Sequence, residues 1–293
     1  MISIILPCYN EEKSIETNVT KIKEEIIKTT KDYEIIVVDD GSTDNSKEKL
    51  KSLNIKLISH PHNLGYGAAL KTGINNAKFD TIVISDIDGS YPPKHIPELI
   101  KIYDDSFDAG NRLDMVVGAR KGKEYDGSFV KFIFRKLLKF LVEWTTGRTI
   151  VDINSGMRVF SKKTVLNFLQ QLCNTFSFTT SLTLAYMLNA KFVRYESIEY
   201  NARQGNSHVR IFRDSLRTLQ YIVEAIIYYN PLKLFLLFFI FFIIISIVFL
   251  VLSIYIKSIL FMMIMGSSLI VAFISLFFGF LLDLIRQNFK KKN

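Results

Sequence analysis

The chain has 293 residues, of which 49% are hydrophobic, and its mean hydropathy is +0.21. So much apolar surface excludes an intrinsically disordered chain. Its two cysteines, Cys8 and Cys173, are too few for a disulfide framework or a cysteine-based zinc site, and they fit a reducing compartment. The formal net charge of +9 predicts an anionic partner, either nucleic acid or a membrane surface and phosphates.

Short apolar runs alternate with amphipathic segments through residues 1–230. The apolar runs, predicted to be buried strands, are Ile2–Leu6, Glu34–Val38, Lys56–Ile58, Thr81–Ser85 and Met115–Val117. The segments predicted to be helices are Glu11–Thr29, Ser42–Leu53, Gly65–Ala77 and Pro93–Tyr103. This alternation predicts an α/β fold, built from βαβ units around a mainly parallel, twisted sheet. Ligands of such sheets bind at the carboxyl ends of the strands, near a topological switch point.

Acidic residues follow three of the predicted strands. The three segments are Pro7-Cys8-Tyr9-Asn10-Glu11-Glu12, Asp39-Asp40-Gly41-Ser42-Thr43-Asp44 and Asp86-Ile87-Asp88-Gly89. Each alone could be an ordinary helix cap, and Ser42 or Thr43 is expected to cap the second helix. Carboxylates gathered at one sheet edge repel one another without a cation. Asp86 and Asp88 therefore predict a Mg²⁺ or Mn²⁺ site with positions left for diphosphate oxygens.

Two amphipathic segments, Phe129–Thr146 and Ile211–Tyr229, carry aromatic and basic residues at helical spacing. Such helices lie in the interface of a bilayer, although packing against a protein core gives the same pattern. The interfacial interpretation places the strand ends near the membrane surface. It also explains the positive charge better than nucleic acid does, because the sequence has no signature of an RNA- or DNA-binding protein.

Two uncharged runs near the C-terminus, Leu234–Tyr255 and Ile259–Leu282, are each long enough to cross a bilayer. Their short linker predicts a hairpin. Basic residues beside both runs predict that the two ends face the cytosol. Ile2–Leu6 is too short for the apolar core of a signal peptide, so an exported N-terminal portion is not expected.

Seven motifs follow one another along the chain: Pro7-Cys8-Tyr9-Asn10-Glu11-Glu12, Val38-Asp39-Asp40-Gly41-Ser42, Asn63-x-Gly65-x-Gly67-Ala68, Asp86-x-Asp88-Gly89, Gly118-Ala119-Arg120, Asp152-Ile153-Asn154-Ser155-Gly156-Met157-Arg158 and Arg203-x-Gly205-x-Ser207. Together they resemble family 2 glycosyltransferases of the GT-A fold, specifically the polyprenyl-phosphate (dolichyl-phosphate) hexosyltransferases. The resemblance covers most of residues 1–230, and several members also share the C-terminal pair of membrane helices. It implies an inverting, membrane-bound enzyme that moves a hexose from a nucleotide-sugar to a polyprenyl phosphate.

The resemblance also implies site residues. The substrate-binding residues are Pro7, Tyr9, Asn10, Glu11, Asp39, Asp40, Asp86, Arg203, Ser207 and His208, with the nucleobase or ribose near Asp39 or Asp40. The metal ligands are Asp86 and Asp88, and the catalytic residues are Asp88, Asp152, Arg120 and Arg135. Asp152 would lie near the acceptor, as an orienting group or a base.

Two positions depart from the family pattern. Ser90 stands where members often have Gln, which leaves the third metal ligand open, and His208 stands where they often have Lys. His carries less charge at neutral pH, although Arg210 offers compensation.

The predicted organisation is a catalytic domain over 1–210, an amphipathic juxtamembrane helix over 211–231, two membrane helices over 232–285 and a basic cytosolic tail over 286–293. UDP-glucose and GDP-mannose both remain possible donors, with a slight preference for UDP-glucose. Another lipid acceptor such as diacylglycerol stays open, as does a homo-oligomer formed through the membrane helices. A non-catalytic membrane scaffold is the alternative from another class, but it gives no reason for the acidic cluster.

Overall fold

The computed structural model describes residues 1–29, 32–108, 110, 112–121, 129–202 and 211–290. In chain order the elements are β1 Ile2–Cys8, α1 Ile15–Ile27, β2 Tyr33–Asp39, α2 Ser46–Lys51, β3 Lys56–Ser59, α3 Tyr66–Asn76, β4 Thr81–Ile84, α4 His95–Asp108, β5 Met115–Lys121, α5 Phe129–Thr146, β6 Arg158–Ser161, α6 Lys162–Leu166, α7 Phe178–Leu188, β7 Val193–Glu199, α8 Ile211–Tyr229, α9 Pro231–Ile256 and α10 Ile259–Lys290. They form two units, Met1–Tyr221 and Ile222–Asn293.

The first unit contains one sheet with the strand order β3-β2-β1-β4-β6-β5-β7. Strands β1 to β4 are parallel, as predicted, and β1 lies at the switch point between β2 and β4. Strand β6 runs antiparallel to β4 and β5, with Arg158 opposite both Ile84 and Val117. The start of β6 therefore lies at the same sheet edge as the carboxyl ends of β4 and β5.

Helices cover both faces of the sheet because neighbouring strand residues point in opposite directions. Ile4 and Leu6 pack in one apolar cluster with residues of α1 and α4. Ile5 packs in the other with Leu70 of α3 and Phe178 of α7. Each of these side chains is almost fully buried and contributes about 2 kcal/mol by removal from water. The two clusters fix the strand ends, and so the loops that follow them.

The second unit is an antiparallel helical hairpin. The Ser246 hydroxyl of α9 donates to the Met265 carbonyl of α10 at 3.1 Å, and the rings of Phe239 and Phe273 lie 5.8 Å apart. Lys257 turns the chain in the left-handed region, at φ 53°. Both helices are long and apolar enough to cross a membrane, and most of their residues are not covered by protein. The predicted pair of long apolar C-terminal helices is confirmed, and both are candidate membrane spans.

Candidate active site

The loops after β1 and β2 are joined by reciprocal hydrogen bonds. The Asn10 amide donates to the Ser42 hydroxyl at 3.0 Å, and the Thr43 amide donates to Asn10 Oδ1 at 2.8 Å. Asn10 has a positive φ of 57°, which its side chain tolerates better than most. The expectation that Ser42 or Thr43 caps the second helix is wrong, because α2 begins at Ser46 and its N-cap is Asn45.

Two buried carboxylates line the joined loops. Asp39 Oδ1 accepts from the Ser42 amide at 3.1 Å, and the backbone amide of Glu11 donates to the Ser46 hydroxyl at 2.8 Å. Cys8 is close enough to both acidic groups for their charges to act on its thiol. Burial, followed by the charges of Asp39 and Glu11, raises the pKa of its thiol to about 12. Cys8 is thus a neutral side chain at physiological pH and not a nucleophile.

Asp40 anchors the loop after β3. His60 Nδ1 lies 2.7 Å from Asp40 Oδ1, while the His60 Nε2 atom lies 2.9 Å from the Thr72 hydroxyl. The backbone amides of Leu64 and Gly65 donate to the two carboxylate oxygens at 2.9 and 2.8 Å. The Asp40 carboxylate is therefore engaged within the protein and holds the start of α3 in place.

Asp86 and Asp88 lie on the loop after β4. Asp86 Oδ1 accepts from the Tyr66 hydroxyl at 2.8 Å. Asp88 Oδ1 accepts from both the amide and the hydroxyl of Ser90, at 2.9 and 2.6 Å. The other oxygen of Asp86, Oδ2, faces Gly156. A Cβ at Gly156 would lie 2.7 Å from this oxygen, so glycine at this position leaves room for the carboxylate.

This pair of carboxylates fits a divalent cation that takes its other ligands from substrate. Within the described ranges, no cluster of three or more His, Cys, Asp or Glu side chains could hold a metal alone. Mg²⁺ commonly binds through one or two carboxylates together with phosphate oxygens and water. Ser90 stands at the position where the third ligand was in question, and its hydroxyl is directed to Asp88 instead.

Arg120 and Asp152 meet at the same edge of the sheet. Asp152 precedes β6, and Arg120 belongs to the end of β5. Burial raises the pKa of Asp152, but the hydrogen bonds and charge of Arg120 outweigh it and hold this pKa below its usual range. Asp152 is therefore an ionised partner of Arg120 near pH 7, which favours an orienting role over proton removal.

A buried arginine supports the turn after Asp152. Arg158 is fully buried, and its Nε and Nη2 atoms donate to the carbonyl oxygens of Ser155 and Ile153, both at 2.8 Å. Its Nη1 atom donates to the Thr183 hydroxyl at 2.7 Å. The sequence analysis included Arg158 in a motif but assigned it no role. Its position within a short apolar run is the feature of the sequence that could have indicated a buried arginine.

The remaining predicted residues are placed as follows. Pro7 is buried within β1, and Tyr9 follows this strand with its side chain half-buried. Arg135 belongs to α5, but its side chain lies outside the described part of the structure. The described residues also exclude Arg203, Ser207 and His208.

The structure is similar to glucosyl-3-phosphoglycerate synthase from Mycobacterium tuberculosis. In the complex of that protein with Mn²⁺, UDP-glucose and phosphoglyceric acid, the match has a TM-score of 0.61 and 19% identity. It covers 77% of this chain and 79% of that chain. The complex with Mg²⁺ and uridine diphosphate matches with a TM-score of 0.60 and 20% identity. The expected GT-A fold is confirmed.

Two curated relatives are both called undecaprenyl-phosphate 4-deoxy-4-formamido-L-arabinose transferase. The protein of Yersinia enterocolitica is 30% identical over 199 residues, which cover 62% of this chain and 58% of the relative. The protein of Yersinia pestis (strain Pestoides F) is 27% identical over 248 residues, or 80% of this chain and 69% of the relative. The chain thus spans well under the full length of either relative.

The sequence model of the family described as "Glycosyl transferase family 2" matches residues 3–166. This range is more than half of the chain, and it contains the loops after β1, β2 and β4 and the ion pair of Arg120 with Asp152. The chain belongs to glycosyl transferase family 2.

Proposed function

We propose that this protein transfers a hexose from a nucleotide-sugar to a polyprenyl phosphate at a membrane surface. The observation that carries the proposal is the contact between Asp86 and Gly156. It joins the acidic loop after β4 to the turn beside the Arg120–Asp152 pair, so a donor and an acceptor held by these two loops would meet. The relatives' names, which include undecaprenyl phosphate, and the two membrane spans support a lipid acceptor.

The donor would bind over the loops after β1, β2 and β4. We assign the nucleobase to a pocket lined by Pro7, Tyr9, Asn10 and Glu11, and the base or ribose to Asp39. Asp40 would shape this pocket indirectly, because its carboxylate holds the amides of Leu64 and Gly65.

Asp86 and Asp88 would hold Mg²⁺ or Mn²⁺ together with the donor diphosphate. When bound, the cation offsets negative charge on the leaving diphosphate. The complexes of the Mycobacterium tuberculosis structure with Mn²⁺ or Mg²⁺ and a uridine nucleotide support this assignment.

The acceptor phosphate would lie near Arg120 and Asp152. We assign further phosphate contacts to the predicted basic and polar residues Arg135, Arg203, Ser207 and His208. A phosphate monoester is mainly dianionic at pH 7, so its oxygen is already a nucleophile and no strong base is required. That oxygen would form a bond to the anomeric carbon as the bond to the nucleoside diphosphate breaks, with inversion of configuration. Asp152 would orient Arg120 for this step and keep its own charge.

The proposed membrane arrangement extends the sequence prediction. Residues 1–210 would form the catalytic domain, 211–231 a juxtamembrane helix, 232–285 the spans and 286–293 a basic tail, with both ends cytosolic. Helix α5 offers a surface suited to the bilayer interface, because Phe140 and Trp144 are exposed with their rings 6.5 Å apart and Lys139 is exposed beside them. An oligomer through the spans remains a proposal.

The relatives' names favour a second candidate sugar. A 4-deoxy-4-formamido-L-arabinose unit is a pentose, so the transferred sugar of this protein could be a modified pentose instead of a hexose. Diacylglycerol as acceptor is less favoured, because its hydroxyl would need a base and Asp152 is paired with Arg120.

A transfer assay tests the proposal. Full-length protein in detergent would be incubated with undecaprenyl phosphate, Mn²⁺ and a radiolabelled donor (UDP-glucose, GDP-mannose or UDP-4-deoxy-4-formamido-L-arabinose). We expect label from one donor in the organic phase, lost in Asp88→Asn and kept in the matched control Asp105→Asn, whose side chain is exposed on α4. No transfer from any donor to either polyprenyl phosphate or diacylglycerol, with folded protein, would favour the scaffold alternative.

A further inference from the structure

Tyr66, the first residue of α3, has no role in the assignments above. Its hydroxyl donates to Asp86 Oδ1 at 2.8 Å, and so links the start of α3 to the loop after β4. A phenol hydroxyl is a hydrogen-bond donor, and the ionised Asp86 carboxylate can only accept, so the direction of this bond is fixed.

The start of α3 packs closely against the segment that follows α6. A Cβ on Gly65 would lie 2.4 Å from the Asn174 carbonyl oxygen, and one on Gly67 would lie 2.2 Å from that of Cys173. Gly65 also has a φ of 109°, which side chains rarely adopt. Both glycines are thus required for this close approach. The approach fixes the backbone on either side of Tyr66.

The ring of Tyr66 is held as well as its backbone. It stacks on the ring of Phe176, with the centroids 5.8 Å apart and the planes 18° from parallel. Stacked aromatic pairs of this kind are stabilised beyond their apolar contact. Backbone and ring together aim the hydroxyl at Asp86.

We propose that Tyr66 is a positioning residue for the donor cation: its hydroxyl fixes the Asp86 carboxylate in the orientation that binds the cation and diphosphate. The inference rests on the proposed function, which places both ligands at Asp86. A carboxylate on a loop can rotate, and a hydrogen-bonding partner removes that freedom before the ligand arrives. Phe176 acts one step further away, by holding the ring of Tyr66.

Binding of Mn²⁺ tests the inference without the transfer reaction. Full-length protein in detergent would be titrated with Mn²⁺ in the presence of UDP, and separately of GDP, while the EPR signal of free Mn²⁺ is recorded. Loss of a hydrogen bond to a metal ligand commonly weakens metal binding about 10- to 100-fold, and we expect a weakening in this range for Tyr66→Phe. Phe176→Leu keeps an apolar contact without stacking, so it should weaken Mn²⁺ binding less than Tyr66→Phe does.

Tyr186→Phe is the matched control. Its hydroxyl is buried without a hydrogen-bond partner among the described residues, so its removal should leave Mn²⁺ affinity unchanged. In the transfer assay, Tyr66→Phe should raise the Mn²⁺ concentration needed for half-maximal rate. Excess Mn²⁺ should then restore most of kcat, which a purely structural defect would not allow.

The outcomes separate this inference from the proposed function. Unchanged Mn²⁺ affinity in Tyr66→Phe, with affinity lost in Asp88→Asn, would overturn the positioning role and leave the proposed function standing. A lower melting temperature of the metal-free variant, with no rescue by excess Mn²⁺, would assign Tyr66 to stability and also overturn the inference. Wild-type protein that binds no Mn²⁺ with either nucleotide would contradict the proposed function, and the inference with it.

Discussion

Arg120 and Asp152 form a two-pronged ion pair: Nε of the arginine lies 2.7 Å from Oδ2 of the aspartate, and Nη2 lies 2.9 Å from Oδ1. The Asp152 side chain is 2% exposed, and that of Arg120 is 15% exposed. The guanidinium also lies over the ring of Tyr200, at 5.2 Å from its centroid. Because Asp152 offsets much of its charge, Arg120 would need other cations beside it to bind a phosphate dianion.

The variant Asp152→Asn tests the ion pair. It leaves a buried guanidinium without its carboxylate, and breaking such a pair costs about 3–5 kcal/mol. We expect a lower melting temperature, measured by scanning fluorimetry in detergent. We also expect sugar transfer to be at least tenfold slower. Asp105→Asn should change neither. Normal stability in Asp152→Asn would contradict the importance of the pair for the fold.

The same pair predicts a dependence of stability on pH. The pKa of Asp152 in the folded chain lies below its ordinary value of 3.8, so its contribution is fully present above that value. This contribution disappears as the pH falls through the lower pKa of the folded chain. The difference in melting temperature between wild type and Asp152→Asn should stay constant from about pH 8 to 5 and shrink below about pH 4. A difference in melting temperature that grows as the pH falls would contradict a lowered pKa of Asp152 in the folded chain.

Gly156→Ala tests the contact between the two halves of the site. The added Cβ would lie 2.7 Å from Asp86 Oδ2, so the carboxylate or the turn has to move. We expect Mn²⁺-dependent nucleotide binding to weaken about tenfold or more, measured by titration calorimetry. Gly266→Ala is the control, because a Cβ there meets nothing within 4 Å. Equal nucleotide binding in both variants would mean that the turn can move away from Asp86 without any loss of binding.

Arg158→Met tests the buried arginine. The methionine fills similar space but leaves the Ser155 and Ile153 carbonyl oxygens without these donors. Each lost partner of a buried group costs about 1–3 kcal/mol, so destabilisation of about 3 kcal/mol is expected. The control Arg194→Met replaces an exposed arginine of β7 and should have little effect. Thermal unfolding of the full-length protein measures both.

Cys8 should resist alkylation. Its pKa of about 12 leaves almost no thiolate at pH 8, so iodoacetamide should modify it only after unfolding. Because the folded chain has the higher pKa, the contribution of Cys8 to stability is present below pH 9 and is lost as the pH rises from about 9 to 12. Mass spectrometry of the native and denatured protein measures the modification. Rapid labelling of native Cys8 would contradict its burial.

The strands predicted from sequence are those with continuous apolar runs. β6 was missed because it is four residues long and begins with Arg158, whose guanidinium is buried through contacts elsewhere in the chain. β7 was missed because it lies at the sheet edge, where Arg194 and Glu196 interrupt the apolar pattern. The local pattern of apolar residues does not show the distant contacts of an arginine or the position of a strand at a sheet edge.

The site was predictable where it follows directly from strand order. Parallel strands bring their acidic ends to one edge, so the positions of Asp39, Asp86 and Asp88 could be anticipated. The separate tasks of Asp39 and Asp40 could not, because they depend on which donors each carboxylate meets. The bond from Tyr66 to Asp86 likewise depends on how α3 packs against the chain after α6.

The reversed direction of β6 brings the turn before this strand to the sheet edge where β4 and β5 end, so two separate parts of the chain form the site. Everything assigned to the nucleotide precedes α4, whereas Arg120, Asp152 and the turn before β6 come later. Asp86 approaches Gly156, and the Gly156 amide donates to the Tyr91 hydroxyl at 2.7 Å, so the two parts meet at the loop after β4. Under the proposed assignments, the residues that would bind the acceptor could be exchanged while those that would bind the nucleotide stay unchanged.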